Sequence, residues 1–88
     1  MEISQLEAFV AVVEEKSFSR AAARVRRTQP AVSQSVRRLE DWFGAALLDR
    51  SSKSGVLTEA GRIVYDHAKR VLNVRQEARS AIDELRAL

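Results

Sequence analysis

The chain has 88 residues, 45% of them hydrophobic and 31% charged, with a formal net charge of +3 and no cysteine. That length allows one small domain, and that balance excludes wholesale disorder. The lack of cysteine excludes disulfides, thiolate metal sites and a cysteine nucleophile, and it suits a reducing compartment. Apolar runs of a few residues exclude a membrane span, and the N-terminus lacks the layout of a signal peptide, so a cytoplasmic location is expected.

Charge is unevenly spread. Residues 1–18 carry −3, residues 40–57 carry −1 and residues 58–88 carry +1. Residues 19–39 hold Arg20, Arg24, Arg26, Arg27, Arg37 and Arg38 without one acid, for +6. A polyanion is the natural partner of such a segment, and a solvated basic surface is the plainer alternative.

In chain order, Ser4-Gln5-Leu6-Glu7 reads as a capping box opening a first helix. Leu6, Phe9, Val10 and Val13 follow the i, i+3, i+4, i+7 rule and give it one apolar face to about Glu15. Ser17 caps a short second helix from Phe18 to about Val25, where Ala21, Ala22 and Ala23 allow close approach of another helix. Thr28 caps a third helix, with Pro30 in its first turn, where a missing N–H costs little. Val32, Val36, Leu39 and Phe43 are spaced as one buried stripe, and Gly44 is placed to end the helix in a left-handed conformation.

Leu47 to Arg50 and Gly55 to Leu57 flank the polar turn Ser51-Ser52-Lys53-Ser54, which predicts a short two-stranded wing. Thr58 caps a last helix, with Glu59 in its first turn, running to about Ala87. Nearly thirty residues make a rod of roughly 40 Å, longer than so small a body can cover. Val64, Val71, Ala78 and Leu85 recur every seven residues along it, flanked by Ala68, Val74, Ala81, Ile82 and Leu88. Such a seam, interrupted by His67 and Arg75, predicts a partner helix, most simply that of a second copy. The expected fold is therefore mainly α: a winged helix-turn-helix over residues 1–58, with three helices and a wing, then a long linker or dimerisation helix over 59–88.

The face of the third helix opposite its apolar stripe holds Pro30, Ser33, Gln34 and Arg37, flanked by Gln29, Ala31 and Arg38. Gln can pair two-pronged with adenine, Arg with guanine and Ser with several base edges, while Pro30 and Ala31 offer apolar contact to a thymine methyl. Double-stranded DNA is thus the expected partner, with Gln29, Pro30, Ala31, Ser33, Gln34 and Arg37 as base-contacting candidates. Thr28, Arg26, Arg27 and Arg38 lie nearer the helix edges and suit phosphates, which fix register without reading sequence. Arg20 and Arg24 fit phosphates or solvent equally well. In the wing, Arg50 and Lys53 are candidates for backbone or minor-groove contact, and Arg50 is equally suited to pair with Asp41 or Asp49. His67 is the single histidine, and with no cysteine a zinc site is not expected. Gly44, Gly55 and Gly61 are too scattered for a phosphate loop, and no nucleophile–base constellation can be assembled. Neither a cofactor nor an enzymatic activity is expected. A helical adaptor using its heptad helix for other proteins, and a non-specific nucleoid-type binder relying on phosphates alone, remain open on these residues.

The order Leu6–Phe9, Ser17-Phe18-Ser19-Arg20-Ala21-Ala22, Gln29-Pro30-Ala31-Val32-Ser33, Leu39-Glu40, Phe43-Gly44, Leu47 to Arg50 and Leu57-Thr58-Glu59-Ala60-Gly61 resembles the N-terminal DNA-binding domain of LysR-type transcriptional regulators. The resemblance covers nearly the whole chain. It implies a winged helix-turn-helix, a linker helix through which two chains dimerise, and binding to interrupted inverted repeats in promoters at the nucleoid. It implies base contact by Gln29, Pro30, Ala31, Ser33 and Gln34, and minor-groove approach by Lys53. Leu48 departs from the usual Phe, and Gly55 falls one residue later than the usual wing glycine. Full-length relatives add an effector-binding domain and are usually tetrameric, which marks this chain as the expected DNA-binding portion, without the inducer site.

Overall fold

The computed structural model describes residues 1–51 and 56–88. Four helices follow one another: α1 (Ile3–Glu15), α2 (Phe18–Val25), α3 (Gln29–Phe43) and α4 (Glu59–Ala87).

The first helix starts earlier than the expected box at Ser4. Glu2 is its N-cap, and the Gln5 side chain accepts from the Glu2 N–H at 3.2 Å. The two residues three apart that close on each other are thus Glu2 and Gln5. Glu7 instead reaches across to α4. Leu6, Ala8, Phe9, Val10, Ala11 and Val12 are all buried, so α1 is a central rod wrapped on several sides rather than a helix with one apolar face.

Local chemistry at the next boundaries follows the sequence. The Ser17 hydroxyl accepts from the Arg20 N–H and opens α2, and Thr28 accepts from the Ala31 N–H and opens α3. Gly44 adopts φ 67° and closes α3, a conformation in which a side chain would be strained. Between α2 and α3, Arg26 takes the same left-handed conformation without being glycine (φ 58°), and the Arg27 N–H bonds back to the Ala22 carbonyl.

Val32, Val36 and Leu39 are fully buried against α1, joined by Ala21 and Ala22 of α2 and by Leu47 and Leu48 beyond α3. Phe43 does not complete their stripe. It is 41% exposed on the wall of an open groove shared with Met1, Leu6 and Ile63, and its ring meets Trp42 edge-on.

No strand forms among the described residues. The expected two-stranded wing is reduced to a single antiparallel bridge, Leu48 to Leu57, with the Asp49 N–H on the Val56 carbonyl and the Thr58 N–H on the Leu47 carbonyl. Arms of three or four residues offer too few ladder bonds for more. Lys53, and with it the turn at residues 52–55, lies outside the described residues.

Thr58 caps α4 through the Gly61 N–H. A Cβ at Gly61 would collide with the Leu47 carbonyl oxygen, so only glycine lets the helix start this close to the bridge. Val64 and Ala68 are buried and Leu72 packs against the same core. Beyond Leu72 every residue of α4 is exposed, and the molecule is drawn out to 52 × 24 × 19 Å. Of the expected dimer seam, Val64 and Ala68 pack on their own domain, and the exposed apolar positions are Val71, Val74, Ala78, Ala81, Ile82, Leu85 and Leu88. Arg75, an expected interruption, pairs with Glu7 at 3.1 Å. His67 is exposed, with Nδ1 against the Ile63 carbonyl at 2.8 Å. No helix among the described residues is long and apolar enough to cross a membrane.

Candidate nucleic-acid interface

Because Val32, Val36 and Leu39 are pinned in the core, the opposite side of α3 has no choice but to face water. Gln29, Pro30, Gln34, Arg37 and Arg38 are exposed, while Ala31 and Ser33 are half-buried at their base. Pro30, Ser33, Gln34, Arg37, Arg38 and Asp41 line one shallow surface concavity along the helix. Among the described residues neither Arg37, Arg38 nor Arg26 forms an ion pair, so their charges are directed at solvent. All six base-contacting candidates thus share one face or its rim, with Thr28 and Arg26 at its leading end.

Other cations are spent within the fold. The Arg27 guanidinium donates to the Ser35 hydroxyl at 2.6 Å, to the Ala31 carbonyl at 3.2 Å and to the Ser4 carbonyl at 3.4 Å. It therefore braces the turn between α2 and α3 onto α1, which corrects its expected place among free phosphate ligands. Its bond also satisfies Ser35, which is buried. Arg24 pairs with Glu14 at 2.7 Å and Glu15 at 3.3 Å, and Arg20 donates to the Glu15 carbonyl. Both side chains stay exposed while making these contacts, so each also has a structural role beside the two expected ones.

Arg50 is tied down as well, but not by Asp41 or Asp49. It meets Glu40 at 2.9 Å, with its guanidinium carbon 5.8 Å from the Phe18 ring centre. The other oxygen of Glu40 accepts the Leu47 and Leu48 N–H groups at 2.8 and 3.3 Å. One carboxylate on α3 thus holds both the chain leaving it and the root of the wing. Asp49 turns to Ser51 instead, whose hydroxyl and N–H hold its carboxyl below the usual range.

Glu14 is a second hub that sequence reasoning did not single out. Burial pushes its carboxyl up, but hydrogen bonds from Tyr65 at 2.6 Å, Lys69 at 2.9 Å and Arg24 outweigh this and bring its pKa down to about 2. The same carboxylate raises the pKa of the Tyr65 hydroxyl and of Arg24. Partners seven to fifty-five residues away leave no spacing within a single helix by which either hub could have been found.

The sequence pattern of bacterial regulatory helix-turn-helix proteins of the lysR family matches residues 3–62. This chain belongs to the LysR family. The match spans α1 to the first turn of α4 and so takes in the exposed ridge, the Glu40 hub and Gly61. Among curated relatives, the chain is 43% identical over 84 residues to the SDS degradation transcriptional activation protein of a Pseudomonas species. It is 44% identical over 84 residues to the HTH-type transcriptional regulator PgrR of Escherichia coli. Each alignment takes in 96% of this chain but 28% of the relative, so the LysR-type domain here spans under a third of those proteins.

Solved structures agree in fold. The DNA-binding domain of BenM, in complex with catB site 1 DNA, superposes with a TM-score of 0.89 at 35% identity, over 97% of this chain and 96% of that one. Vibrio fischeri DarR in complex with DNA gives 0.86 at 38% identity, over 97% of this chain and 29% of that one. The fold is thus the mainly helical one of LysR-type DNA-binding domains.

Proposed function

We propose that this chain binds double-stranded DNA in a sequence-specific manner as the DNA-binding part of a dimeric transcription regulator. The observation that carries the reading is the polar ridge of α3, with Gln29, Pro30, Gln34, Arg37 and Arg38 exposed and its arginines in no ion pair among the described residues, opposite a fully buried aliphatic stripe. In this reading α3 enters the major groove, and Gln29, Pro30, Ala31, Ser33, Gln34 and Arg37 contact bases. Thr28, Arg26 and Arg38 hold phosphates. Arg50 and Lys53 serve the wing, Arg50 through its grip on Glu40. The BenM and DarR complexes with DNA support the same partner for this chain.

Two copies pair through α4, whose Val71, Val74, Ala78, Ala81, Ile82 and Leu85 stand free. Val64 and Ala68 contribute from beneath as the floor of an apolar groove with Leu6, Ile63 and Phe43. Two symmetric recognition helices then require an interrupted inverted repeat. Residues 1–58 form the recognition unit and 59–88 the dimerising linker. The effector domain of full-length relatives, their tetramers and a cytoplasmic location belong to the same proposal. The reading assigns this chain no catalytic role.

Selection of bound sequences from a random double-stranded pool tests the reading, and an enriched inverted repeat is expected. Enrichment of no sequence leaves only phosphate binding and overturns it. Sedimentation tests the pairing: Val71→Glu with Ala78→Glu is expected to give monomers, and an unchanged mass rejects α4 as the interface.

A further inference from the structure

The linker helix is held to its domain at three places. Gly61 lies against the Leu47 carbonyl, Tyr65 and Lys69 meet Glu14, and Arg75 meets Glu7. Glu14 precedes its partners' order: the C-terminal acid of α1 meets the earlier residues of α4, and the N-terminal acid meets the later one. The two helices are therefore antiparallel. Seven residues on α1 and six on α4 separate the contacts, about 10 Å on each helix, so both close in a single register. A slide of one turn, about 5.4 Å, would open both.

The Glu14 contact differs from the other two. Its side chain is only about a quarter exposed and it accepts from Arg24 of α2 as well as from Tyr65 and Lys69 of α4. Among the described residues it is the one side chain that hydrogen-bonds to both α2 and α4. The α2 partner holds one carboxylate oxygen and the two α4 partners hold the other, so rotation of α4 as well as sliding would strain the contact. The apolar contacts beneath it, Val64, Ala68 and Leu72, are non-directional and do not fix an angle so closely.

The free arm beyond Arg75 makes that angle matter. Twelve residues to Ala87 reach about 18 Å, so a tilt of about 10° moves the tip by about 3 Å. One base pair rises about 3.4 Å. We propose that Glu14 is a positioning residue for DNA recognition: by locking the tilt of α4 on the helix-turn-helix, it sets the distance between the two half-sites that a pair of chains will accept. This rests on the dimeric reading above and adds to it the residue that determines spacing.

The test uses the whole chain and a series of duplexes whose two half-sites are separated by a spacer varied one base pair at a time, together with a single half-site duplex. The preference of the unaltered chain for its best spacing over the neighbouring ones is the reference. In Glu14→Gln that preference is expected to fall about threefold or more, with affinity for the single half-site changed less than about twofold. Lys69→Arg, which keeps the ion pair, is expected to retain the preference. If Glu14→Gln does not fold by circular dichroism, Tyr65→Phe with Lys69→Met removes the α4 side of the contact and is read in the same way. A variant that keeps the full preference, or that loses half-site and paired-site affinity equally, overturns the positioning role. An unaltered chain with no spacing preference overturns the dimeric reading too, so the two failures are distinguishable.

Discussion

The arginines of α2 and its turn and those of α3 look alike in sequence, yet they do opposite work. Arg20, Arg24 and Arg27 bond to Glu15, Glu14, Ser35 and backbone carbonyls, whereas among the described residues Arg37 and Arg38 form no ion pair. The basic segment is therefore half framework and, in the proposed reading, half ligand. Net charge alone overstates the field offered to a polyanion, since two glutamates at the end of α1 cancel part of it where it stands. Two of the three free charges that remain, Arg37 and Arg38, lie on the one helix whose polar side cannot turn away, and the third, Arg26, stands at the turn before it.

The largest expected effect tests the ligand half. Gln34→Ala with Arg37→Ala should leave the thermal midpoint unchanged while reducing discrimination between the selected sequence and a scrambled one by about 2–5 kcal/mol, read by competitive gel shift. Retained discrimination would mean that the ridge does not read bases. Next, Arg27→Ala tests the framework half. It leaves the buried Ser35 hydroxyl without its partner, so stability in urea should fall by about 1–3 kcal/mol. Unchanged stability would return Arg27 to the ligand half.

Acid probes the framework at Glu14. Its pKa is about 2 in the fold against an ordinary 4.5, so the unfolded chain takes up this proton first as the pH falls. The stabilisation is complete above about pH 5 and drains away between 4.5 and 2. Three exposed or half-exposed partners make it worth about 1–2 kcal/mol. Urea titrations of Glu14→Gln should therefore converge on those of the unaltered chain near pH 2 and diverge above pH 5. A constant gap across that range would place the stabilisation elsewhere.

Much of the scaffold was legible in the residues because it is local. Ser17, Thr28, Gly44 and Thr58 mark helix ends through bonds to neighbours three or four positions away, and the stripe of Val32, Val36 and Leu39 follows from helical spacing. The outward side of α3 followed from that stripe. What spacing could not reveal was long-range: that Glu40 would take Arg50 and two backbone donors, that Glu14 would join α2 to α4, and that Val64 and Ala68 would be covered by their own domain. Phe43 shows the limit of periodicity. It continues the pattern of its helix, but it lines an open groove with Leu6 and Ile63 instead of entering the core.

The smallest effect separates the two halves most cleanly, because it concerns neither folding nor base preference. Each phosphate contact releases counterions and adds about 0.9 to the slope of log affinity against log salt. Arg38→Ala should lower that slope by about one for every sequence alike, so a fourfold rise in salt would cost the variant about threefold less affinity than it costs the unaltered chain. Arg24→Ala, which removes a charge already matched by Glu14 and Glu15, should leave the slope where it was. Equal losses from both would mean that the α2 ion pairs open on DNA and that the division between framework and ligand arginines holds only for the free protein.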